Sequence, residues 1–112
     1  MEINTQEYQL KMAVVTLRGR VEISEIPALR KLCDDYLESG VTHFVFDLSE
    51  ITMLDSAGLA VLVSVLKRAR AKDGDARLVL PKSNAAVQIL KLTKFDEVFM
   101  TTELSRIIPA SG

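Results

Sequence analysis

The run Phe44-Val45-Phe46 is apolar at three successive positions and ends at the carboxylate of Asp47. The segment that contains it, residues 41–47, alternates little between apolar and polar side chains. A strand with so little alternation is typical of a parallel sheet whose two faces are both covered. The segment therefore predicts an α/β fold, in which helices connect the parallel strands.

Helical periodicity flanks this strand on both sides. Apolar residues recur at three- and four-residue steps over residues 26–37, where Ser24 is the expected N-cap and Gly40 the expected stop. Residues 57–71 show the same spacing and end in a run of cations, which suits the negative end of a helix dipole. The valines of this second segment leave a strand open, but its length without a turn favours a helix.

The remaining segments are shorter. They comprise two strands joined by a hairpin, a third strand, a short helix, a small edge strand and a last helix, at residues 3–10, 13–19, 77–81, 83–92, 98–99 and 102–108. Crossovers between parallel strands are right-handed almost without exception. The order therefore predicts a mixed, mostly parallel sheet of four to five strands flanked by about four helices, with the first strand antiparallel at one side.

The bulk composition predicts one ordinary folded domain. Of the 112 residues, 48% are hydrophobic and 26% are charged, and the net charge is −1 without a basic stripe, which argues against a nucleic-acid partner. The longest apolar run, residues 57–66, is far short of the roughly 20 residues that a membrane span needs, so no membrane partner is expected. One cysteine and an N-terminus without a leader pattern suit the cytoplasm.

Residues that would carry catalysis are scarce. The single histidine, His43, opens a predicted strand and has no nucleophile or carboxylate at a recognisable spacing. Cys33 lies on the apolar face of a predicted helix, where a buried thiol is inert. No cysteine and histidine cluster has metal-ligand spacing, and no glycine loop suits a phosphate. We therefore expect no catalytic residues, no cofactor and no metal, and the chain is not predicted to be an enzyme.

Ser56 lies where a strand, a short loop and the start of a long helix are expected to meet. A serine in this position usually caps the helix, which contributes about 1 kcal/mol. Asp55 competes for the same role and leaves the Ser56 hydroxyl available. Free backbone N–H groups at a helix start can also host an anion. Ser56 could therefore accept a phosphate while the domain stays folded.

The residues Phe46-Asp47-Leu48-Ser49, followed by Met53-Leu54-Asp55-Ser56-Ala57-Gly58-Leu59, resemble the signature of the STAS family, in particular of bacterial anti-sigma factor antagonists. Residues 15–22 are similar to the glycine-ended second strand of that family, and residues 90–99 to its C-terminal segment. The resemblance covers nearly the whole chain and implies a single STAS domain over residues 1–112, with a β-sheet flanked by helices.

The resemblance also implies a function. Small members of the family bind an anti-sigma factor that is also an ATP-dependent serine kinase, and they thereby release the sigma factor. The kinase phosphorylates the motif serine, here Ser56, which ends binding, and a serine phosphatase of the metal-dependent type restores it. Glu22 stands where family members usually carry an aspartate that contributes to docking, so the charge is kept with a longer reach.

The expected partner-binding surface combines the resemblance with the helix pattern. Its residues are Glu22, Asp55, Ser56, Ala57, Gly58 and Val61. If Leu59, Leu62, Val63 and Leu66 face the sheet, Ala57, Ala60, Val61, Ser64 and Val65 cannot all be buried with them. The helix is then either packed on two sides or exposes an apolar patch that marks a binding site. Lys82, Ser83 and Asn84 are expected on the rim of the same edge.

Two other functions stay open at this stage. A STAS domain can serve as a constitutive scaffold or accessory subunit of a stress-sensing or transport complex, in which the serine is never modified. The junction between loop and helix could also be an anion site of an enzyme or a small-ligand binder.

Overall fold

The computed structural model describes residues 2–8, 11–53, 56–92 and 100–101. The strands are β1 (Glu2–Tyr8), β2 (Met12–Arg20), β3 (His43–Met53), β4 (Asp75–Val79) and β5 (Met100–Thr101). The α-helices are α1 (Ile26–Glu38), α2 (Ser56–Arg70) and α3 (Asn84–Leu92), and a 3-10 turn over Ile23–Glu25 precedes α1.

The five strands form one sheet in the order β1-β2-β3-β4-β5. Strand β1 is antiparallel to β2, whereas β2, β3, β4 and β5 run parallel to one another. This arrangement confirms the predicted mixed, mostly parallel sheet with an antiparallel first strand at one side. The carboxyl ends of the parallel strands therefore lie at the same edge of the sheet.

The core lies between the sheet and the helices α1 and α2, and Ala86 and Leu90 of α3 also belong to it. Alternate residues of the strands point into it, and Phe44 and Phe46 on β3 stack with their ring centroids 5.9 Å apart. Helices α1 and α2 also contact each other, and the ion pair between Arg68 and Asp34 lies across that contact. Helix α2 is thus packed on two sides, against the sheet and against α1.

The ends of α1 differ in how well the sequence predicts them. Ser24 is not the N-cap, because it lies inside the 3-10 turn and Glu25 holds the N-cap position. Pro27 lies in the first turn of the helix, where its missing N–H has no intrahelical partner to lose. Gly40 follows the C-cap with a φ of 100°, a left-handed conformation that glycine adopts without strain, so the expected stop is in place.

Two further predictions differ from the structure in extent. The described part of the chain holds three α-helices rather than about four, while the predicted last helix at residues 102–108 and edge strand at residues 98–99 lie outside it. The loop expected after Asp47 is wrong, since β3 continues as strand to Met53. Register shifts against β2 accompany this extension and break the regular alternation of its side chains.

Candidate functional site

Two loops are bonded to the end of β3, at the edge of the sheet where the parallel strands end. The loop after β2 carries Glu22, and its Val21 N–H donates to the carbonyl of Met53 at 3.1 Å. The loop after β4 is attached in the same way, since the Lys82 N–H donates to the Ser49 carbonyl at 3.2 Å. Both neighbouring loops are therefore fixed to the end of β3, the strand that leads to α2. We use the name carboxyl edge for the end of β3, the loops that follow β2 and β4, and the start of α2.

Ser56 is the first residue of α2 and is exposed. The first turn of α2 contains no acidic residue, whereas its last turn contains Lys67, Arg68 and Arg70. The cations stabilise the negative end of the helix dipole, and the positive end at Ser56 is left without an acidic side chain of the helix itself. A negative charge on the Ser56 hydroxyl would be electrostatically favourable for the folded domain.

The other predicted partner-binding residues are placed as follows. Glu22 is exposed, Ala57 is half-buried and Gly58 is buried. Asp55 lies outside the described residues. Ser56 and Glu22 are thus both accessible at the carboxyl edge.

Val61 does not belong to the exposed face of α2. Its side chain is 1% exposed, and Val65 is 2% exposed, because α2 is packed against both the sheet and α1. In the middle of α2, the accessible face is therefore narrow and is formed by the exposed Ala60 with the half-buried Val63 and Ser64. These three residues, together with Lys67 and Arg68, line an open depression of about 520 Å³.

Exposed apolar side chains at the carboxyl edge were not singled out from the sequence. In the described part of the chain, four large hydrophobic residues are exposed, and three of them lie at the end of a parallel strand or within three residues after it. These are Ile23 at 71%, Met53 at 40% and Leu80 at 36%, while the fourth, Leu92, ends α3. Ile23 stands alone between polar neighbours, so no periodicity points to it. Apolar residues gathered at one edge are typical of a protein-binding surface.

One buried charge lies beneath the carboxyl edge. Asp47 is 6% exposed and accepts a hydrogen bond from the Ser49 N–H at 3.0 Å. Nearby, Arg18 pairs with Glu50 at 2.6 Å and with Glu2 at 3.6 Å. The hydrogen bond and the charge of Glu50 raise the pKa of Arg18, with smaller contributions from Glu2 and Asp47. The guanidinium of Arg18, a cation in any case, partly neutralises the carboxylates around it.

Neither a metal centre nor a membrane span is found in the part of the chain that the structure describes. Within those residues, no three histidine, cysteine, aspartate or glutamate side chains are grouped as a metal site would need. None of the helices there combines the length and the apolar character required to cross a bilayer.

Cys33 is expected to resist alkylation in the folded protein. Burial in the core raises the pKa of its thiol from 9.0 to about 12, since a thiolate is poorly solvated there, and Asp34 raises it further. Three pKa units lower the thiolate fraction at pH 8 about a thousandfold. We expect iodoacetamide to label the native protein at least that much more slowly than the denaturant-unfolded protein, as followed by intact mass. Equal labelling rates in the two states would contradict the buried position.

The chain was compared with known families and solved structures. The family model described as the STAS domain matches residues 2–107. SpoIIAA, an anti-sigma factor antagonist, in its unphosphorylated form is 14% identical, with a TM-score of 0.83 over 95% of this chain and 92% of that one. An anti-sigma factor antagonist from Mycobacterium paratuberculosis is 22% identical, with a TM-score of 0.79 over 94% and 88%. The Bacillus protein SpoIIAA in its phosphorylated form is 12% identical, with a TM-score of 0.72 over 95% and 96%.

Proposed function

The chain belongs to the STAS domain family, and we propose that it is an anti-sigma factor antagonist controlled by phosphorylation of Ser56. The unphosphorylated protein binds an anti-sigma factor that is also a serine kinase, and this binding releases the sigma factor. The observation that carries the proposal is the exposed Ser56 at the first position of α2. The structural likeness to antagonists known in unphosphorylated and phosphorylated forms supports it.

The carboxyl edge is the surface that docks on the kinase. Ile23 and Met53 offer apolar contact area, and the exposed Glu22 offers a negative charge to a basic side chain of the partner. Burying an exposed isoleucine side chain contributes about 1.5–3 kcal/mol. The protein acts through this contact and performs no chemistry of its own, since phosphate transfer needs only the Ser56 hydroxyl as acceptor.

Phosphorylation ends binding and leaves the fold intact. A phosphate adds roughly −1.5 to −2 charges and three acceptor oxygens to Ser56. The start of α2 favours this anion because it is the positive end of the helix dipole. A docked partner, in contrast, would have to bury a hydrated dianion beside Asp55, its neighbour in the sequence. Phosphorylation therefore destabilises the complex and not the free domain.

A serine phosphatase of the metal-dependent type completes the cycle by removing the phosphate from Ser56. The two enzymes would act on the same exposed hydroxyl position, which the first turn of α2 holds at the surface. We place this cycle in the cytoplasm, with no role for nucleic acid or membrane contact by this chain.

The direct test is transfer of one phosphate from ATP to Ser56. The protein is incubated with ATP and the histidine-kinase-like ATPase encoded nearest to its gene, and its intact mass is followed. We expect one phosphate on the wild type and none on Ser56→Ala. Ser64→Ala is the matched control, because Ser64 lies two turns further along α2, and it should accept phosphate like the wild type. An unmodified wild type would favour the constitutive scaffold, and phosphate on Ser56→Ala would contradict the assigned site.

A further inference from the structure

The side chains of β3 change their alternation after Asp47. In a regular strand, residues an odd number of positions apart point to opposite faces. Leu48 and Ile51 are three positions apart, yet both are buried in the same core, at 0% and 1% exposure. Strand β3 therefore contains an irregularity between them.

The pairing with β2 locates this irregularity. Thr16 pairs with Asp47 and Arg18 pairs with Glu50, so that β3 uses one residue more than β2 over the same stretch. Such an extra residue is a β-bulge, which bends a strand and redirects the side chains that follow it. A second shift of one residue follows before Met53.

The carboxylate of Asp47 stabilises the first bulge. A bulge interrupts the hydrogen-bond ladder and leaves backbone groups without their strand partner. Here the Ser49 N–H donates to the Asp47 carboxylate at 3.0 Å, so the carboxylate replaces the missing backbone acceptor. Asp47 is the only buried charged side chain among the residues that the structure describes, and a buried carboxylate is unfavourable without such a bond.

The bulged segment in turn holds the loops of the carboxyl edge. Its Ser49 carbonyl accepts from the Lys82 N–H, and its Met53 carbonyl accepts from the Val21 N–H. The path of β3 between Asp47 and Met53 therefore determines where the loops on either side stand relative to Ser56. A strand that slipped by one residue here would also turn Ile51 out of the core.

We propose that Asp47 is a positioning residue of the docking surface: its bond to the Ser49 N–H fixes the bulge that places Ser56 and the two neighbouring loops for the partner. This inference rests on the proposed function for its effect on binding, but its structural step concerns the chain alone. Asp47 is only 6% exposed, so it would act on the partner through the path of β3 rather than by direct contact.

The structural step is tested by amide hydrogen exchange of the isolated protein. Asp47→Ala removes the acceptor, and we expect exchange of the Ser49 and Lys82 amides to become at least about tenfold faster. Asp47→Asn retains an acceptor oxygen of the same size and should stay within about threefold of the wild type at both amides. The Phe46 amide, in the regular part of β3, reports global opening. Equal acceleration at Phe46 and Ser49, or none at either, would overturn the assignment.

Binding is then measured with the cognate kinase. We expect Asp47→Ala to bind at least about tenfold more weakly and Asp47→Asn to bind within about threefold of the wild type. Leu37→Val is the control for lost stability, since Leu37 is 1% exposed and lies in the last turn of α1. As long as this variant is folded, its affinity for the kinase should equal that of the wild type. If the wild type binds no kinase, the proposed function fails. If the wild type binds and Asp47→Ala binds equally well, the role of Asp47 fails.

Discussion

Ser56→Asp is expected to bind the anti-sigma factor kinase about a hundredfold more weakly than the wild type and to remain at least as stable. A charge without a partner in a desolvated contact costs about 2–5 kcal/mol. At the start of α2 the same charge is favourable for the free domain by about 0.3–1 kcal/mol, because it faces the positive end of the dipole. Titration calorimetry with the kinase and thermal unfolding of the free protein measure the two effects separately.

Two control variants test whether the loss of binding requires a negative charge and whether that charge must be at position 56. Ser56→Ala removes the hydroxyl without adding charge and should bind like the wild type while resisting phosphorylation. Gln88→Glu adds one negative charge at an exposed position of α3 and should bind within about twofold of the wild type. Ser56→Asp that binds as tightly as the wild type would remove the physical basis of the switch.

Local sequence information was sufficient for most of the fold and for the position of Ser56 at the start of α2. The helices α1 and α2 were predictable because each repeats its apolar residues at helical spacing over more than ten positions. The strand interior at Phe44-Val45-Phe46 was predictable because it is apolar throughout. Ser56 follows from these two elements, since it lies at the junction between strand and helix.

The end of β3 was not predictable from its own residues. The three-residue separation between the buried Leu48 and Ile51 fits no strand period, so the segment resembles a loop in sequence. Its extended form depends on bonds from distant residues, the N–H groups of Val21 and Lys82. The burial of Val61 was not predictable either, because it depends on how α2 packs against α1 and the sheet. Both features depend on tertiary contacts.

The exposed apolar residues of the carboxyl edge lead to the second large effect. Ile23 is 71% exposed in the 3-10 turn that follows the loop of Glu22, so its side chain contributes little to the stability of the free domain. In a protein complex, a central apolar side chain that becomes fully desolvated can contribute 2 kcal/mol or more. Ile23 therefore matters for binding far more than for folding, if the carboxyl edge is the docking surface.

Ile23→Asp is expected to weaken kinase binding by about a hundredfold, since it removes apolar contact area and adds a charge to a desolvated surface. Its free energy of unfolding should stay within about 0.5 kcal/mol of the wild type. Leu92→Asp is the matched control, because Leu92 is 83% exposed at the end of α3, away from Ser56, and its affinity should be unchanged. Affinities are measured by calorimetry, and the rate of Ser56 phosphorylation at low substrate concentration should fall in parallel for Ile23→Asp. Equal losses of affinity for the two variants would mean that any exposed apolar residue contributes to binding, wherever it lies. Unchanged affinity of Ile23→Asp would mean that the docking surface is not at the carboxyl edge.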